Sequence, residues 1–172
     1  MVKIMKGFIV FAQRVNLAGA VLALFAVLVA SNNEAAFAGE GSITKSTAPG
    51  PVLILSNSDT VPGVGFSSFY ATSSDFPAGT LIDPKQLLGI EWSTTYYPQT
   101  LRDDVELCYS RPFSTQEYCR GIAPNSSGLL TDFNEQSFNN GSKVTIRHRV
   151  WGGVRPYARP AGVDSVTFKY RY

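Results

Sequence analysis

Four stretches of this chain change character at every second residue. In Leu88–Tyr97, Leu88, Ile90 and Trp92 fall on one side, and Gly89, Glu91 and Ser93 on the other. In Asp104–Ser110, Val105, Leu107 and Tyr109 oppose Glu106 and Cys108. In Lys143–Trp151, Val144, Ile146, His148 and Val150 oppose Thr145, Arg147, Arg149 and Trp151. In Val163–Tyr172, Val166, Phe168, Tyr170 and Tyr172 oppose Ser165, Thr167, Lys169 and Arg171. A two-residue period is that of a β-strand with one buried face, and after the first forty residues no segment sustains a helical period. Further strands are expected at Val52–Leu55, Val64–Thr72 and Glu117–Ala123, with Gly39–Pro51 as an extended arm or loose first strand. Turn chemistry separates them: Pro62-Gly63, Phe76-Pro77-Ala78-Gly79, the Pro124–Gly128 run and Asn139-Asn140-Gly141. Pro84–Leu88 reads as a single helical turn capped by Asp83. The two prolines of Arg155–Gly162 exclude a central strand there. The pattern predicts an all-β fold, an antiparallel β-sandwich of seven to eight short strands. Apolar residues at 44% against 16% charged supply enough material for its core.

The first residues read as an address. Lys3, Lys6 and Arg14 precede the apolar run Val15–Ala30, and Ala36-Phe37-Ala38 follows a short polar patch. This is the order of a secretory signal peptide, with cleavage expected after Ala38. The run of 16 residues falls short of the roughly 20 that a membrane-spanning helix needs. The division is thus a signal peptide at 1–38 and a single β-sandwich domain at 39–172, exported to the periplasm and free of a membrane anchor after cleavage. Losing Lys3, Lys6, Arg14 and Glu34 takes the +2 of the full chain to zero. A neutral exported protein is a poor match for nucleic acid.

Export makes a disulfide between Cys108 and Cys119, the only two cysteines, the expected state. There is no Cys-x-x-Cys to suggest a redox pair. With one histidine there is no four-ligand metal set, and no metal or cofactor is expected. No Gly-x-Ser-x-Gly elbow or phosphate-binding glycine loop occurs. His148 lies among valines and isoleucine and reads as half-buried packing rather than a catalytic base. Asp103, Asp104 and Glu106 cluster at a strand start, where solvated charges are common; an acid–base pair of the glycosidase kind is the less economical reading. No catalytic residues are assigned.

Two surfaces remain. From Lys143 onward seven basic residues face Asp164 alone, so the rest of the chain after Ala38 is net acidic. Such halves pair strands within a sheet or present a basic face to a partner. Arg147, Arg149, Trp151 and Arg155 form the candidate partner surface, since Arg and Trp are favoured interface anchors. Tyr96, Tyr97 and Trp151 are the candidates for stacking on sugars, which defines the alternative: a secreted carbohydrate- or cell-wall-binding module.

Several short elements recur in a recognisable order: Ala38-Gly39-Glu40-Gly41-Ser42, Ile90-Glu91-Trp92, Val105–Cys108, Cys119, Val150–Arg155 with Pro156, and Val163–Arg171. In order and type this resembles the flagellar protein FlhE family. The likeness covers mainly Leu88–Arg171 and the start of the domain. The segments Ile43–Leu87 and Tyr109–Tyr118 are longer than the family pattern. The resemblance implies a periplasmic β-sandwich without enzymatic activity, acting beside the flagellar machinery through protein–protein contact. A chaperone or a guard against leakage through the export apparatus is the implied role, with flagellar components as partners.

Overall fold

A computed structural model describes residues 39–172 except Asp59. The expected signal peptide and its cleavage point at Ala38 lie outside the described residues. Ten strands follow one another: β1 (Glu40–Thr47), β2 (Val52–Leu53), β3 (Pro62–Tyr70), β4 (Gln86–Ser93), β5 (Arg102–Ser110), β6 (Glu117–Ile122), β7 (Ser127–Leu130), β8 (Lys143–Trp151), β9 (Tyr157–Ala158) and β10 (Asp164–Arg171). They form two four-stranded antiparallel sheets, ordered β1-β10-β4-β7 and β3-β8-β5-β6. A two-stranded ribbon joins β2 to β9. Among the described residues no helix is long and apolar enough to cross a membrane.

Each sheet turns its apolar alternate residues toward the other, as layered β-proteins must. Ile43, Leu87, Ile90, Val166, Phe168 and Tyr170 come from the first sheet. They meet Phe69, Val105, Leu107, Tyr109, Val144 and Ile146 of the second in one core. A smaller cluster of Val52, Ile54, Tyr97, Val150 and Ala158 forms around the β2–β9 ribbon. Three of the four alternating stretches bury the predicted face. The loose first strand is a full partner of β10, from Glu40 opposite Arg171 to Thr47 opposite Asp164.

The departures have local causes. In β4 it is Leu87, not Leu88, that shares the core with Ile90. The ladder with β10 shifts between Lys169 and Tyr170, whose partners are Gly89 and Leu87. Leu88 is the extra residue of a bulge, and everything before it changes face. The helical turn expected at Pro84–Leu88 is absent because Gln86 and Leu87 are drawn into that ladder. The helical turn that does form is a 3₁₀ turn at Ser73–Asp75, closed by a capping box between Thr72 and Asp75. Pro62-Gly63 opens β3 instead of turning before it. After β8, Gly153 sits at φ +112° with the Gln99 carbonyl where a side chain would begin, so only glycine fits.

Candidate functional site

The outer face of the β3-β8-β5-β6 sheet carries a network of paired charges. Arg147 on β8 reaches Glu106 on β5 at 2.7 Å and Glu117 on β6 at 2.9 Å. Arg149 adds a 3.0 Å bond to Glu106, and Lys143 lies 3.5 Å from Glu117. Cross-strand register dictates this: Glu106 is opposite Arg147, and Ser110, at the end of the same strand, is opposite both Lys143 and Glu117. The basic C-terminal part and the acidic middle of the chain thus meet as neighbouring strands. The hydrogen bond from Arg147, and after it the charges of Arg147 and Lys143, hold the Glu117 carboxyl below its usual range, and the bonds to Glu117 and Glu106 raise the Arg147 pKa. The Cys108–Cys119 disulfide crosses β5 and β6 at directly opposed positions on this face. Arg147 Nη1 approaches Cys108 Sγ at 3.8 Å.

Of the four predicted contact residues, the sheet brings Arg147 and Arg149 together. The side chain of Arg149 is 51% exposed. Trp151 is not on offer: it is buried, with the Arg102 guanidinium 3.9 Å above its ring. Arg155 lies beyond the end of β8, exposed, with Nη2 at 3.5 Å from the Leu55 carbonyl. The sugar-stacking set fares similarly. Tyr97 is buried and donates its hydroxyl to the Gly50 carbonyl at 2.6 Å, while Tyr96 stays partly exposed. The open depressions on the sheet are lined by Asp104, Glu106 and Arg149, and by Val64, Phe66, Lys143 and Arg147.

The arrangement that residue patterns alone did not reveal is internal. His148 is completely buried. Its Nδ1 lies 3.1 Å from both carboxylate oxygens of Asp103 on β5. Its Nε2 lies 3.3 Å from both oxygens of Asp164, the first residue of β10. Both ring nitrogens face carboxylates and therefore donate, which is the charged imidazolium. Burial alone would lower the His148 pKa, but the hydrogen bonds and charges of Asp103 and Asp164 outweigh it and push it up to about 9. Further donors complete the carboxylates: Ser67 Oγ and the Thr95 N–H to Asp164, at 2.8 and 2.9 Å, and the Tyr97 N–H to Asp103 at 3.2 Å. The Tyr97 ring meets the imidazole edge-on at 5.4 Å. β5, β8 and β3 of one sheet are thereby tied to β10 of the other through a single proton-rich ring. The half-buried packing role expected for His148 and the solvated role expected for Asp103 both give way to this clamp. The signal was present: Asp103 has the parity of Val105 and Leu107, and Asp164 that of Val166 and Phe168, so both had to point inward.

No protein-family model and no curated protein matches the chain. Among solved structures it is similar to one described as the crystal structure of FLHE, with a TM-score of 0.50 and 20% identity, over 78% of this chain and 100% of that one. The chain has an FlhE-like fold. Full coverage of the FLHE chain by an all-β, antiparallel domain agrees with the architecture read from the alternating strands. It is the fold that this likeness shows, and in the FlhE-like frame the paired arginines lie on the outer sheet face and the histidine clamp between the layers.

Proposed function

We propose that the chain is a non-enzymatic accessory protein of the flagellar system, exported to the periplasm and working through protein–protein contact, either chaperone-like or as a guard of the export apparatus against leakage. The ordered sequence elements from the start of the domain to Arg171, lying on a fold that spans the whole FLHE chain, carry this reading. The non-enzymatic part is supported by His148, whose two nitrogens are both spent on buried carboxylates, away from any surface where a substrate would sit. The contact face in this reading is the outer side of β8 and β5, where Arg149 offers a half-exposed guanidinium beside the Arg147–Glu106–Glu117 network.

The test is the double variant Arg147→Gln/Arg149→Gln, with detergent-solubilised flagellar basal bodies as the probe. The three ion pairs that are lost lie at the surface and contribute about 0–1 kcal/mol each, so the variant stays folded, with a melting temperature lowered by no more than about 10 °C. Capture of the immobilised protein by basal-body components is expected to fall at least about tenfold, the effect of losing one interface anchor of about 1.4 kcal/mol. Undiminished capture would remove this face from the proposal.

A further inference from the structure

Four strands stand at the edges of the two sheets: β1 and β7 of one, β3 and β6 of the other. Proteins usually blunt such edges with charge, brevity or irregularity, because an open edge recruits another strand. β1 carries Glu40 and Lys45, β6 carries Glu117 and Arg120, and β7 is only four residues long. β3 has none of these protections. It runs for nine residues, Pro-Gly-Val-Gly-Phe-Ser-Ser-Phe-Tyr, without a charge and with its single proline at the first position. Its ladder with β8 is unbroken from Pro62 to Tyr70. Among the described residues no strand pairs with its other side.

The direction of its free hydrogen-bonding groups follows from the ladder. Ala71, one residue past β3, donates to the Ser142 carbonyl at 2.9 Å and accepts from the Gly141 N–H at 2.8 Å. Its polar groups therefore turn toward the β8 side. Those groups change sides at each residue of an antiparallel strand. Phe69, Ser67, Gly65 and Gly63 turn to β8 as well, and Val64, Phe66, Ser68 and Tyr70 present theirs to the open edge. The same residues show their side chains on the outer face, where Val64 is 52%, Phe66 61% and Tyr70 52% exposed.

We infer that this edge pairs with the β3 edge of a second copy of the chain, joining two four-stranded sheets into one of eight. The occupant follows from the strand's own properties. A foreign strand chosen by charge finds no charge on β3 to read. A copy of β3 meets no like charge, and the nearest cations, Lys143, Arg147 and Arg149, are already paired with carboxylates of their own sheet. A two-fold axis at Phe66, the midpoint of the strand, gives the longest overlap. It sets Phe66 against Phe66 of the copy as a hydrogen-bonded pair, with Val64 against Ser68 and Pro62 against Tyr70 on either side. This parity uses the free N–H and C=O groups and stacks an aromatic pair at the centre. It leaves the outer face with Arg149 open on both copies, so it is independent of the contact function proposed above.

The experiment is sedimentation equilibrium on the chain expressed in full and purified as its host delivers it. The parent protein is expected at twice the mass of one chain. Phe66→Glu and Phe66→Lys each place like charges across the axis and are expected to sediment at the mass of one chain while keeping a cooperative melting transition, because residue 66 is exposed. Mixing the two variants sets Glu against Lys and is expected to restore the double mass. A parent chain that remains monomeric at about 1 mM overturns the inference, as does a dimer indifferent to both charges or a mixture that fails to re-associate. None of these results bears on capture of basal-body components, so the two proposals fail separately.

Discussion

His148→Ala is expected to cost about 3–5 kcal/mol, because it leaves two carboxylates buried between the sheets without their shared cation. The loss is expected as a drop in urea midpoint with little change in the slope of the transition. What distinguishes the clamp from a large core side chain is its remedy. The triple variant Asp103→Asn/His148→Gln/Asp164→Asn removes every charge while leaving side chains of similar size that can hydrogen-bond one another, and is expected to recover at least half of the loss. A triple variant no more stable than the single one would show that the charges themselves are not what His148 serves. Alkaline titration gives a second readout. A folded-state pKa near 9 lies above the unfolded value near 6.5, so the clamp contributes fully below about pH 6.5 and fades as pH rises through about 9. At 1.36 kcal/mol per unit this amounts to about 3 kcal/mol, or roughly 10 °C in melting temperature between pH 6 and pH 10. The triple variant is expected to lose that part of the slope.

Removing the disulfide has the next largest expected effect. Cys108 and Cys119 are 11 residues apart, and closing a loop of that size restricts the unfolded chain by about 3 kcal/mol. The double variant Cys108→Ala/Cys119→Ala is expected to be destabilised by about that amount. Its β5–β6 hairpin is expected to lose amide-exchange protection before the rest of the sheet, since β6 is an edge strand held otherwise by its ladder with β5 and the Glu117 and Arg120 ion pairs. Equal stability with and without the cystine would reduce it to an ornament of the hairpin.

Much of this architecture was legible in the order of residues, and the reasons for the rest are physical. Val105, Leu107 and Tyr109, or Val144, Ile146 and Val150, are inward because a strand in a two-layer protein has one wet face and one dry one. The same rule fails at Leu87 and Leu88, because a bulge changes parity without any mark in composition. It holds at Asp103 and Asp164, whose parity places them on the inner face, where a buried carboxylate requires a partner, which the only histidine supplies. Trp151 shares the parity of Arg147 and Arg149, yet Arg102 from the neighbouring strand lies over its ring. Arg155 falls past the end of the strand. A contact surface depends on what neighbouring strands lay across it, and that is decided by sheet order, which no local pattern encodes. The opposed charge of the two chain segments was resolved in the same way: β8 came to lie beside β5 with β6 next to it, and Lys143, Arg147 and Arg149 meet Glu106 and Glu117 within the sheet.

The contact proposed between the outer face of this sheet and flagellar components is open to a test in living flagellated cells. A photoreactive amino acid in place of Arg149, half-exposed on that face, and the same residue in place of Ile82, which is 92% exposed in the turn before β4, are irradiated in living cells and the adducts identified by mass spectrometry. An adduct is expected between position 149 and a protein of the flagellar basal body or export apparatus, and none at position 82. Adducts at 149 confined to cell-wall material or to proteins outside the flagellum would contradict it.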